Sequence, residues 1–90
     1  MPSSAEDDET KVTVTEGMDI KKVFGRNLRR LRRDKGLTQE TLEALTGFDR
    51  SYLGGIERGV RNPSLTAIGV LADSLGVDPA SFFEGYERET

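Results

Sequence analysis

The side chains that most often carry enzyme chemistry are missing here, because the 90 residues include no histidine and no cysteine. Their absence removes the commonest general base, the thiolate nucleophile, disulfides and the Cys/His zinc sites. Neither a phosphate-binding glycine loop nor a dinucleotide fingerprint is present. The acidic run Glu6, Asp7, Asp8 and Glu9 lacks the spacing of an EF-hand. No catalytic residue, metal ligand or cofactor is therefore expected. What remains is hydrogen-bonding and charge chemistry, carried most densely by a basic stretch of Lys21, Lys22, Arg26, Arg29, Arg30, Arg32, Arg33 and Lys35. Arginine suits such work because its planar fork can engage two acceptors together.

A net charge of -3 argues against a polyanionic partner until it is divided along the chain. Residues 1–17 hold five acidic side chains against one basic, residues 84–90 three against one, and residues 18–83 eleven basic against eight acidic. A mildly basic centre between two acidic ends is compatible with nucleic-acid contact. The bland reading of the basic stretch is a solvated helix surface. No apolar run reaches the ~18–20 residues that would span a bilayer, and the acidic N-terminus does not read as a secretory signal. A cytoplasmic, nucleoid-associated protein without membrane contact is expected.

These side chains need elements to position them. Residues 1–17 lack a hydrophobic period and read as an acidic disordered tail; Lys11 to Thr15 alternates weakly and would form a strand only on a partner's edge. From Asp19 the period becomes helical, with Ile20, Phe24, Leu28 and Leu31 in one stripe. Asp19, Thr38, Asp49, Ser64 and Asp78 are N-cap candidates, and Gly36, Gly47, Gly59 and Gly76 mark helix ends. Inward positions are Leu42 and Leu45 of the second helix, Leu53 and Ile56 of the third, and Leu65, Ile68, Leu71, Ala72 and Leu75 of the fourth. Asp78-Pro79 opens a short fifth helix carrying Phe82 and Phe83. The expectation is an all-α bundle of about five short helices over residues 18–84, followed by a short polar tail at 85–90.

Leu37 to Ile56 has a narrower grammar: Gln39 near a helix start, Gly47 eight residues later in a turn, then Leu53 and Ile56 pointing back into the core. This resembles the helix-turn-helix of the Xre family, which includes the lambdoid phage Cro and repressor proteins and has the lambda-repressor-like DNA-binding fold. Leu37-Thr38-Gln39-Glu40, Ile56-Glu57-Arg58-Gly59 and Arg61-Asn62-Pro63-Ser64 each look like that family, and their order and spacing carry the likeness over roughly residues 20–83. Asp49-Arg50-Ser51-Tyr52-Leu53-Gly54-Gly55-Ile56 also resembles the controller proteins of restriction–modification systems. One position departs: the family usually has a small residue four places after Gln39, where this chain has Glu43. A buried, unpaired carboxylate would be costly. Glu43 is expected to bend outward and pair with an arginine, or else to hold the helices apart.

The resemblance implies a homodimeric transcriptional regulator whose third helix enters the major groove of a near-palindromic operator. It gives Arg50 the main base-reading role, with Ser51 beside it, and allows Arg61 to reach base edges. Tyr52 would pack on a sugar or thymine methyl or bond a phosphate, unless it is a half-buried structural aromatic. Gln39, Asn62 and Arg32 would contact the DNA backbone. Gly55 either lets the helix lie close to the DNA or serves close packing within the fold. Glu57 is expected to pair with an arginine of the first helix. Phe82 and Phe83 would form the dimer surface, or close the core, with one expected in each role. RNA polymerase is a further partner the resemblance allows. The rival reading is an antitoxin-like module whose N-terminal arm binds a partner protein.

Overall fold

The computed structural model describes residues 19–87. They form four α-helices, α1 (Ile20–Asp34), α2 (Gln39–Thr46), α3 (Arg50–Glu57) and α4 (Leu65–Leu75), and then one 3-10 helix, Pro79–Phe83. No strand occurs among the described residues. The fifth helical element is therefore 3-10 rather than α. Its five residues begin at Pro79, which has no N–H to donate, and end where Glu84 is extended, so too little chain remains to establish an α-helical ladder. Residues 1–17, where the acidic tail is expected, and residues 88–90 lie outside the described residues.

Each element starts at a residue whose side-chain oxygen accepts one of the N–H groups that a first turn leaves unpaired. Asp19 accepts from Lys21, Thr38 from Thr41, Asp49 from Ser51, Ser64 from Ala67 and Asp78 from Ala80, all at 2.9–3.0 Å. The turn between α2 and α3 is three residues long. Gly47 adopts φ +80° there, a left-handed value that an L side chain rarely takes. Phe48 donates its N–H to Thr46 Oγ1 at 3.0 Å, and Thr46 Oγ1 in turn donates to Leu42 O at 2.8 Å, so the turn is bonded back to α2.

Phe24, Leu28, Leu42, Leu53, Ile56, Leu71, Ala72, Leu75 and Phe82 form the core. α1 packs on α3 and on the 3-10 helix, and α2 packs on α3 and α4. The Phe24 ring lies 4.7 Å from that of Phe82, tilted, and 5.4 Å from that of Phe83, edge-on. Buried Asn27 donates to Phe82 O at 2.8 Å and to Glu84 O at 2.9 Å, fastening the C-terminal end to α1.

Two inward expectations are overturned. Leu45 is 53% exposed and Leu65 87% exposed. α2 turns only one row, that of Leu42, to the core, and Leu65 stands in the first turn of α4, ahead of the inward positions Ala67, Leu71, Ala72 and Leu75. Periodicity tells that a face is apolar but not how far the neighbouring elements extend to cover it. A contact that periodicity missed is at Gly25. A Cβ there would lie 2.2 Å from Ile56 O and 2.6 Å from Glu57 O, so α1 meets the backbone of α3 with no side chain between them.

Candidate nucleic-acid interface

α3 is buried at its rear and open at its front. Leu53, Gly54, Gly55, Ile56 and Glu57 are buried, whereas Asp49, Arg50 and Ser51 are exposed. The apolar pair Leu53 and Ile56 is the reason: three residues apart, they pull the later turns into the core and leave the first turn standing clear. Asp49 caps that turn through the Ser51 N–H, and the Ser51 hydroxyl also donates to its carboxylate. The Ser51 bonds hold the Asp49 carboxyl below its ordinary range.

Arg50 lies between two carboxylates of α2. Its Nε is 3.5 Å from Glu43 Oε1 and its Nη2 3.8 Å from Glu40 Oε2, with its side chain 55% exposed. Its backbone N–H donates to Glu43 Oε2 at 3.2 Å. The expected departure at Glu43 is thus resolved by outward bending and pairing with an arginine. Beside Arg50, an open cleft of about 530 Å³ is lined by residues that include Arg32, Arg33, Thr38, Gln39, Glu40 and Arg50. Three arginines and the N-terminus of α2 outweigh the one carboxylate, Glu40, on it, a balance that suits an anionic group such as a phosphate.

Glu57 collects four nitrogen donors. Arg32 reaches it twice, Nε to Oε2 at 2.6 Å and Nη2 to Oε1 at 3.1 Å; Gln39 Nε2 donates at 3.0 Å and Arg29 Nε at 3.5 Å. Burial pushes the Glu57 carboxyl up, but the bonds from Arg32, Gln39 and Arg29 outweigh it and leave the group below its ordinary range. The pairing of Glu57 with the first helix is as expected.

Arg32 is a correction. It is only 7% exposed, and although it lines the cleft its three guanidinium nitrogens bond Glu57 and, at 2.8 Å, Leu37 O, so its donors are spent on support from within. Gln39 stands at the first position of α2, half-buried, and spends one of its two amide protons on Glu57. It is therefore placed to join the cleft to the internal network.

Gly55 is also corrected. It is buried, and a Cβ there would come within 2.4 Å of Arg61 Cγ, so its missing side chain makes room for Arg61 rather than for a duplex. The Val60 and Arg61 N–H groups both bond Gly55 O, at 2.9 and 3.1 Å, which folds the loop back along α3. Arg61 then lies over the Tyr52 ring, 5.7 Å from its centroid, and Tyr52 meets Phe48 edge-on at 5.4 Å. Tyr52 is half-buried, with one part in the fold and another beside Arg61. Asn62 is exposed and lines a small groove with Ile20, Phe24, Pro63, Ile68 and Phe83, away from Arg50.

Phe82 is the third correction. It is fully buried and cannot form a subunit surface, whereas Phe83 is half-buried at the edge of that groove. Arg58, which the sequence leaves without an assigned role, is exposed with its Nη1 3.1 Å from where a Gly54 Cβ would stand. The paired glycines were the available signal for an arginine folded against the helix. Among the described residues no cluster of acidic side chains could hold a metal, and no helix is long and apolar enough to cross a membrane.

The helix-turn-helix domain family matches residues 23–82. The control protein C.MunI from a Mycoplasma species is 39% identical over 72 residues, which cover 79% of this chain and 97% of that protein. The crystal structure of the restriction–modification controller protein C.AhdI from Aeromonas hydrophila is similar with a TM-score of 0.68 and 54% identity, over 70% of this chain and 96% of that one. The controller protein C.Esp1396I, solved as a tetramer with its natural 35-base-pair operator, is similar with a TM-score of 0.65 and 32% identity, over 72% and 86% of the two chains. On its three-residue turn, its buried Arg32–Glu57 brace and these likenesses together, the chain belongs to the helix-turn-helix domain family and within it is similar to the controller proteins of restriction–modification systems.

Proposed function

We propose that this chain is a sequence-specific regulator of transcription that binds double-stranded DNA as a homodimer and controls a restriction–modification system. The observation that carries this reading is the free leading turn of α3, where Arg50 and Ser51 stand exposed beside a cationic cleft while the rest of the helix is anchored in the core. An eight-residue helix held in this way can enter a major groove by its N-terminal end. Arg50 reads a guanine edge through a two-pronged bond, Ser51 bonds a neighbouring base or its phosphate, and Arg61, carried on the Tyr52 ring, reaches a flanking base. The cleft at Gln39 seats a phosphate and fixes the register, and Asn62 takes a second one. Two copies related by a twofold axis read a near-palindrome. The operator complex of C.Esp1396I supports this use of the fold.

The chain has a binding role and not a catalytic one, and it works in the cytoplasm at the nucleoid. RNA polymerase is its further partner where an operator adjoins a promoter. Selection of bound duplexes from a random pool tests the reading. The expected product is a near-palindrome with half-sites about one helical turn apart. Recovery of no shared sequence, with uniform loss of binding as salt rises, would replace it with nonspecific electrostatic binding.

A further inference from the structure

Glu43 stands where the family pattern has a small residue, yet it leaves α2 and α3 in contact. Its carboxylate turns out of their crossing and binds a single residue twice, taking the Arg50 backbone N–H on Oε2 and facing Arg50 Nε from Oε1. The Arg50 N–H is one of those that a first helical turn leaves without a backbone partner. One carboxylate therefore bonds the root of Arg50 and stands in ion-pair contact, at 3.5 Å, with the Nε side of its guanidinium. The contact to Glu40, at 3.8 Å, is too long for a hydrogen bond, so the terminal nitrogens of Arg50 keep donors to offer outward.

We propose that Glu43 is a positioning residue that sets sequence specificity by buttressing Arg50. The inference rests on Arg50 reading a base, as argued above. Two physical effects follow from the geometry. A guanidinium held on its Nε side loses less freedom when its outer edge meets a guanine. A carboxylate 3.5 Å from that guanidinium also repels any phosphate that would take Arg50 instead, while an uncharged base edge meets no such repulsion. The first effect favours the correct duplex and the second disfavours all incorrect ones, so both widen the same gap.

The test compares binding of a duplex selected by the wild-type chain with binding of its scrambled counterpart. It uses the full chain, Glu43→Gln, Glu43→Ala, and Asp73→Asn as a control that removes one exposed carboxylate from α4. Glu43→Gln is expected to strengthen scrambled-duplex binding and to reduce the ratio of the two affinities by about threefold to fivefold, the size of a partly exposed ion pair. Asp73→Asn should leave the ratio where it was. Thermal midpoints separate folding from reading, and if Glu43→Ala does not fold, the near-isosteric Gln variant carries the comparison. A wild-type chain that discriminates and a Glu43→Gln chain with the same ratio would overturn the buttress while sparing the base-reading role. A wild-type chain that binds both duplexes equally would overturn the two together.

Discussion

Glu57 shows how much one side chain organises. Its carboxylate is removed from water and faced by Arg32, Gln39 and Arg29, which tie α1, α2 and α3 to one point. Removing one member of a buried pair leaves the other charge uncompensated, so Glu57→Ala should cost about 3–5 kcal/mol. That is a large part of the ~5–15 kcal/mol total of a typical domain, and denaturant titration reads it; a loss below 1 kcal/mol, on the order of an exposed pair, would show the brace to be dispensable. Its pH dependence has a definite sign. The folded-state pKa of Glu57 lies below the unfolded value, so its stabilisation is complete above about pH 4.3 and is lost as pH falls through the folded value. Asp49, also held low, adds to the same acid limb. The melting temperature should stay level near neutrality and fall in acid, and Glu57→Gln should lower the neutral value while making the acid limb shallower. An acid limb as steep as that of the wild type would assign it to other carboxylates. At the reading end, Arg50→Ala should cost about 1–3 kcal/mol of binding on the selected duplex and much less on a scrambled one. Equal losses on both would make Arg50 a phosphate contact.

Between elements, two glycines look alike in the sequence and have opposite consequences. At Gly25 an added methyl would strike the α3 backbone at Ile56 O and Glu57 O, which cannot move without shifting a helix. Gly25→Ala should therefore destabilise by about 1–3 kcal/mol or more through overpacking, and would tilt α3 with it. At Gly55 the added methyl would meet Cγ of Arg61 at 2.4 Å, near the root of an exposed side chain that can clear it by rotating about its Cα–Cβ bond, with no helix backbone to displace. Gly55→Ala should leave the melting temperature within a few degrees and displace Arg61 from Tyr52, so that DNA affinity falls while the fold remains. Circular dichroism melts and binding titrations on the two variants check the contrast. A Gly55→Ala chain that melts far lower with unchanged affinity would reverse the assignment. Both positions follow from close approach of backbone to a neighbour, a quantity that residue type hints at but does not measure.

For the whole molecule, the proposed homodimer needs a face for its second copy. Phe82 is inside, so the surface proposed for dimerisation is the apolar strip of Leu65 and Ile68 on α4, neighbours at a spacing of three, with Phe83 and Ile20 at the groove that Ile68 lines. Leu65→Lys should leave the monomer fold intact, since that side chain is 87% exposed, and shift the chain toward monomer in sedimentation. Its binding to a palindromic site should then lose the gain from joining two half-sites. A Leu65→Lys chain that remains a dimer would move the interface elsewhere, Leu45 being another exposed apolar residue.

Local chemistry, which is written one residue after another, was legible without coordinates. The five N-caps, the glycine-bearing turn and the all-α class depend on nearest neighbours or on a repeat and follow from residue types and spacing, while the helix-turn-helix and the pairing of Glu57 with α1 follow from the family resemblance. Phe83 and Phe82 differ by one place in the chain, and no rule of periodicity assigns one to the edge and the other to the centre; the packing of the 3-10 helix on α1 does. The same holds for Arg32, one of eight basic residues in the stretch 21–35 and the one among them that is buried, against Glu57 25 residues away. Capping and periodicity are short-range, so they survive translation into sequence. Which arginine is buried, which glycine is crowded and which leucine is left uncovered are decided by contacts between distant residues, and those exist only once the helices have packed.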